Sequence, residues 1–129
     1  MKKVMIFGVF DGPHKAHEQV LKDAKALGDH LVVVVAQDHM VEHLKGYRVK
    51  VDLAERMEHI KKEDAVDEVI IGDKELGTWE VIKEHKPAVI AIGHDQNILQ
   101  ENLETNFDKL GYEPEIELLK EYEVNEDQG

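Results

Sequence analysis

Residues 2–29 read KKVMIFGVFDGPHKAHEQVLKDAKALGD, and the change of period inside this stretch decides the fold. Lys3 to Val9 is an apolar, β-branched run suited to a buried strand, and Gly8, Gly12 and Pro13 are the residues expected where a strand stops and the chain turns. From Lys15 the apolar positions Ala16, Val20, Leu21, Ala24 and Leu27 recur at helical spacing. One face of that segment is therefore apolar and can lie back on the strand. Gly28 stands where a helix is expected to end in a C′ glycine.

The alternation continues outward. Leu31 to Ala36, LVVVVA, is too short for a helix and reads as a central parallel strand. Asp38 is placed to cap a short helix over His39 to Leu44, and a loop with three cations, Lys45, Arg48 and Lys50, follows. Asp52 caps the next helix, with Leu53, Met57 and Ile60 as its buried stripe and Glu55, Arg56 and Glu58 on other faces. Glu68 to Ile71 is a third strand stopped by Gly72 and Asp73, and Thr78 caps a helix from Trp79 to His85 that Lys86 and Pro87 end. Ala88 to Ile92 is a fourth strand. Leu99, Leu103, Phe107 and Leu110 mark one further helix stopped by Gly111, and Glu115 to Leu118 suits an edge strand.

Short apolar strands alternating with amphipathic helices specify parallel pairing with right-handed crossovers. The expected fold is α/β: a doubly wound, Rossmann-like three-layer sandwich with a parallel sheet of about five strands. Ligands bind such sheets beyond the carboxyl ends of the strands, which singles out Gly8 to His17, Gln37 to Asp38, Gly72 to Asp73 and Gly93 to Gln96.

Composition narrows the function. The 129 residues fit a single domain, with about 120–129 as a disordered acidic tail, and the absence of cysteine excludes disulfide and thiolate chemistry. No apolar run is long enough to span a bilayer and the N-terminal run is too quickly broken for a secretory signal, so the expected location is cytoplasmic, with no membrane partner. The net charge of −12, from 28 acidic against 16 basic residues, argues against a nucleic-acid partner. A small anionic substrate would need local cations, helix N-termini or a divalent ion.

His14 and His17, three apart at the start of a helix, can project from one side toward the mouth of the first strand. The free N–H groups of a first helical turn suit phosphate, and imidazoles beside them can donate to a phosphorus centre that gathers charge. The turn also has a purely structural reading, with one histidine capping and the other solvated. His39 and His43 share a helix face but lack a third ligand, so a solvated pair is the plainer reading. Trp79 reads as core or interface.

GVFDGPHKAH, residues 8–17, resembles the G-T-F-D-x-x-H-x-G-H signature of the cytidylyltransferase-like nucleotidyltransferase superfamily. The resemblance extends over about residues 3–96, where the segments HEQVLKDAKALGDHLVVVVAQD, AERM, VDEVIIGD and KPAVIAIGHDQ look like those of short single-domain members of archaeal FAD-synthase and glycerol-3-phosphate cytidylyltransferase type. It implies nucleotidyl transfer, of AMP from ATP to FMN as in FAD synthases or, alternatively, of CMP from CTP to glycerol 3-phosphate or a similar acceptor: the acceptor attacks the α-phosphorus, pyrophosphate leaves, and Mg2+ is held mainly by the phosphates. It implies that His14, His17 and Lys45 act on the triphosphate. Gly8, Val9, Phe10, Asp11 and Gly12, together with Gly93, His94, Asp95 and Gln96, would line the nucleotide. Arg48 would bind phosphate, and Arg56, from an E-R motif, would hold substrate or the loop. Homodimers are common in the family, and Trp79 and the Phe107 helix offer apolar surface. The chain departs from the pattern at Val9 for Thr, at Ala16 for Gly and at His94 for Tyr, and EYEVNEDQG lacks the hydroxyl-rich phosphate segment. The alternative of another class is a nucleotide-binding module without turnover.

Overall fold

The structure is a computed structural model, and residues 2–10, 15–46, 48–74, 79–93 and 97–119 are described. Five strands, β1 Lys3–Gly8, β2 His30–Val35, β3 Glu68–Ile71, β4 Val89–Ile92 and β5 Glu115–Leu118, form one sheet in the order β3-β2-β1-β4-β5. Every pair is parallel. The chain runs outward from β1 through β2 to β3, then crosses back to lay β4 and β5 on the other side. The order thus reverses beside β1, and the crevice beyond the carboxyl ends of β1 and β4 is the place where such sheets bind ligands.

The helices are α1 Lys15–Lys25, α2 Asp38–Lys45, α3 Leu53–Lys61, α4 Glu80–His85, α5 Asn97–Glu104 and α6 Phe107–Leu110. Successive strand residues point to opposite faces, and the apolar runs are sorted accordingly. Val4, Ile6, Val33, Val35 and Ala91 pack with Leu21 and Ala24 of α1 and Ile60 of α3. Met5, Val32, Val34, Ile90 and Ile92 pack on the other face with Ile82 of α4, Leu103 of α5 and Leu110 of α6. Continuous apolar strands are what a sheet covered on both faces demands, and the result is the expected three-layer α/β sandwich. Among the described residues no helix is long and apolar enough to cross a membrane.

Local departures from the expected pattern have physical causes. α1 ends at Lys25, and the glycines with positive φ among the described residues are Gly46 and Gly111, so Gly28 is not a left-handed C′ residue. A Cβ there would lie 2.6 Å from the Lys2 carbonyl oxygen and 2.7 Å from Val4 Cγ2, so the start of β1 is what requires glycine. Gln37, not Asp38, occupies the N-cap of α2 and makes no side-chain cap bond, whereas Asp52 caps α3 as expected by accepting from the Glu55 N–H at 3.0 Å. Thr78 lies outside the described residues; α4 is capped instead by Asp73, whose carboxylate accepts from the N–H groups of Glu80 and Val81 at 3.0 and 3.1 Å. The helix expected through Leu99 and Leu110 is two, because Asn106 leaves helical geometry at φ −122° and ψ 20°. Leu103 and Leu110 still reach the same core. Gly111, at φ 80°, closes α6. The proposed tail at about 120–129 lies outside the described residues.

Candidate active site

β1 leaves the sheet at Gly8, whose carbonyl accepts from the Ala36 N–H at 3.0 Å. Two residues on, Phe10 has φ 53°, the left-handed region that a bulky side chain adopts only when its surroundings impose it, at about 1–3 kcal/mol. Those surroundings are visible. Phe10 is buried, and its ring covers Gly8 so closely that a Cβ at residue 8 would meet Phe10 Cε2 at 2.5 Å. The ring meets that of His17, in the first turn of α1, edge to face, with centroids 5.2 Å apart and planes at 81°. Gly8, Val9, Phe10 and His17 are therefore brought together at the mouth of β1. Asp11, Gly12 and His14 lie outside the described residues.

Behind this corner stands Arg56. Its expected place was a polar face of α3, but its side chain is 0% exposed, the one charged side chain in the core among the described residues. Arg56 Nε donates to the Val51 carbonyl at 2.9 Å, Nη1 to the Val9 carbonyl at 2.8 Å, and Nη2 to the Asp38 carboxylate. One guanidinium thus joins the exit of β1, the start of α2 and the loop before α3, and Asp38 does not cap α2 because its carboxylate is engaged here. The signal was in the sequence: 53, 56, 57 and 60 are i, i+3, i+4 and i+7, so a residue at 56 shares the buried stripe.

Arg48 and Lys50 border an open groove of about 380 Å³ with the carboxylates of Asp38, Glu42, Asp52 and Glu55. Arg48 is almost wholly exposed, its Nε 3.7 Å from Glu42 Oε1. Lys45 is the last residue of α2, and its side chain lies outside what is described. Beyond the carboxyl ends of β2 and β3, Gln37 Nε2 donates to the Gly72 carbonyl at 2.9 Å and His39 Nε2 to the Lys74 carbonyl at 2.9 Å. His39 and His43 are both exposed, as the solvated-pair reading expects, and His39 also bonds the Lys74 backbone carbonyl. Gly93 follows β4 directly, and His94, Asp95 and Gln96 lie outside the described residues. Trp79 and Phe107 rest partly buried against the core.

Two carboxylates held below their ordinary values sit at the opposite end of the sheet. The hydrogen bond from Lys25, 2.5 Å, and then that from the Leu31 N–H, 2.8 Å, hold Asp67 below its ordinary value. The bond to His30 Nε2, 2.9 Å, holds Glu68 down.

The model of a family described as cytidylyltransferase-like matches residues 5–124. An FAD synthase from Thermococcus sibiricus is 46% identical over 95 residues, 74% of this chain and 64% of that protein, so the chain spans less than two thirds of that relative. An FAD synthase from Pyrococcus horikoshii is 41% identical over 115 residues, 88% of this chain and 77% of that protein. Among solved structures, that of a lipopolysaccharide core biosynthesis protein from Thermoplasma volcanium is similar at a TM-score of 0.87 and 35% identity, covering 95% of this chain and 99% of that one.

Proposed function

We propose that this chain, which belongs to the cytidylyltransferase-like family, is an FAD synthase, an adenylyltransferase acting on FMN. The observation that carries the reading is the convergence of a nucleotidyltransferase sequence, matched by relatives bearing that name, on the strained exit of β1 at the switch point of the sheet. A phosphate oxygen of FMN attacks the α-phosphorus of ATP. The new P–O bond gives the diphosphate of FAD, the bond from the α-phosphorus to its bridging oxygen breaks, and the electron pair departs on pyrophosphate.

The chain's contribution is position and charge rather than a covalent intermediate. His14 and His17 donate to the triphosphate as charge builds at phosphorus, and the backbone from Gly8 to Gly12 lies along it. Lys45 is assigned to the phosphates. Arg48 and Lys50 draw the acceptor phosphate into the groove. Gly93, His94, Asp95 and Gln96 are assigned to the base and ribose. Mg2+ would be carried in on the triphosphate, held mainly by the phosphates. The reaction belongs in the cytoplasm, and a homodimer would use the apolar surface left at Ile71 on the β3 edge, since Trp79 and Phe107 pack inward.

The test is FAD formation and pyrophosphate release by the purified chain with ATP, Mg2+ and FMN. His17→Ala is expected to lower kcat by at least about a hundredfold. Turnover with CTP and glycerol 3-phosphate in place of ATP and FMN would overturn the substrate assignment. Nucleotide binding with no turnover on any acceptor would make the chain a binding module.

A further inference from the structure

We infer that Arg56 is a positioning residue of the transfer reaction: from the core, and without touching substrate, it fixes the Val9–Phe10 peptide and, through the Phe10 ring, the imidazole of His17. The kinetic part of this inference rests on the FAD synthase reading; the part concerning His17 does not.

In a trans peptide the C=O and N–H point in opposite directions. Arg56 Nη1 takes the Val9 carbonyl toward α3 at 2.8 Å, so the Phe10 N–H of the same peptide is turned away from α3. No group among the described residues accepts from that N–H. A donor fixed at a strand exit, beside the first turn of a helix, is what an anion at this position meets first.

The same peptide sets Phe10. A phenylalanine at φ 53° relaxes toward negative φ unless both of its flanks are held, and the Arg56 bond holds the flank on the β1 side. In this left-handed conformation the ring lies over Gly8 and against His17. Gly8, Val9, Phe10 and His17 thus form one linked set whose inner anchor is a guanidinium. The anchor has to be arginine. Its acceptors lie on three separate segments, at Val9, Val51 and Asp38, and a rigid planar fork serves all three while an ammonium on a flexible stem does not.

Arg56→Lys in the full chain tests this. The ring protons of His17, observed by NMR without substrate, are displaced by the Phe10 ring current in the native protein, with Phe10→Leu as the undisplaced reference. In Arg56→Lys that displacement is expected to vanish. kcat for FAD formation is expected to fall about tenfold to a hundredfold, with KM for ATP changing much less, because the lost alignment matters most in the transition state. Gly28→Ala, which perturbs the chain on the far side of β1, is the control: it is expected to lose stability while keeping both the His17 signals and kcat. Native His17 signals and native kcat in Arg56→Lys would overturn the inference. So would a loss of kcat that Gly28→Ala reproduces at equal loss of Tm. Should Arg56→Lys not fold, Phe10→Leu, which retains the arginine anchor but removes the ring, decides: unchanged kcat overturns the inference and a tenfold loss supports it. A native chain that makes no FAD yet shows the displaced His17 signals would refute the proposed reaction and leave the anchoring standing.

Discussion

The two ends of the sheet are tied by different means. At the amino ends of the strands, polar links lie at the surface: Lys25 to Asp67, with both side chains 32% exposed, His30 to Glu68, and the Lys2 N–H to Asp29. Each joins neighbouring segments in contact with water, where a pair contributes little. At the carboxyl ends a single guanidinium with no exposed surface gathers three segments. The first arrangement adds small, separable increments to the fold. The second binds loop geometry to the integrity of the core, and so makes the shape of the candidate site depend on one charge.

The sharpest way to break that contrast is to strip the buried charge of its anion. Asp38→Ala removes the anion from a guanidinium with no exposed surface, and because Asp38 itself is 41% exposed, so that water can take its place, the expected cost is about 1.5–3 kcal/mol in urea unfolding. A cost below about 1 kcal/mol would put Arg56 in the same class as the surface pairs. Next come the two glycines. A methyl at residue 8 meets the Phe10 ring at 2.5 Å and one at residue 28 meets the Lys2 carbonyl at 2.6 Å, so both Gly8→Ala and Gly28→Ala should cost about 1–3 kcal/mol. Turnover per folded molecule should separate them, falling for Gly8→Ala alone. Equal activity in the two variants would mean that the exit of β1 tolerates rearrangement.

The smallest effect belongs to the amino end. Asp67→Asn should cost about 0–1 kcal/mol at neutral pH. Its mark is in acid. Asp67 and Glu68 are held below their ordinary values of 3.8 and 4.5, so their contribution is complete above those values and is lost as pH falls through the lowered ones. The variant should therefore show a shallower fall of Tm on acidification than the native chain, and an unchanged slope would show that Lys25 does not stabilise the Asp67 carboxylate.

What the sequence made legible follows the same division. The strands were readable because both faces of the sheet are covered, so the runs at Val4 to Ile6, Leu31 to Val35 and Val89 to Ile92 carry no polar interruption. The expected position of the candidate site followed from alternation alone, since it is a property of the topology. Arg56 was harder. A charged residue beside an apolar stripe is ordinarily solvated, and the partners that make its burial tolerable come from residues 9, 38 and 51, distant in the chain or offered by backbone that no side-chain pattern reports. Asp38 misled for the converse reason: its local capping role yielded to a stronger tertiary claim on the same oxygen. The break at Asn106 escaped because apolar spacing reports which face is buried, and α5 and α6 bury the same face whether or not the backbone between them is continuous.

The last strand in the sheet order has a meaning beyond the site. β5 pairs with β4 alone, which leaves its outer edge without a strand partner among the described residues, and it reads Glu-Ile-Glu-Leu. Carboxylates along an open edge repel a second strand that would extend the sheet from one molecule into the next. Glu117 shares a hydrogen bond with Glu115 and feels its charge, and both effects raise its pKa. While charged, these carboxylates guard the edge, and their protonation on acidification, which Glu117 meets at a higher pH than a lone glutamate, weakens that guard.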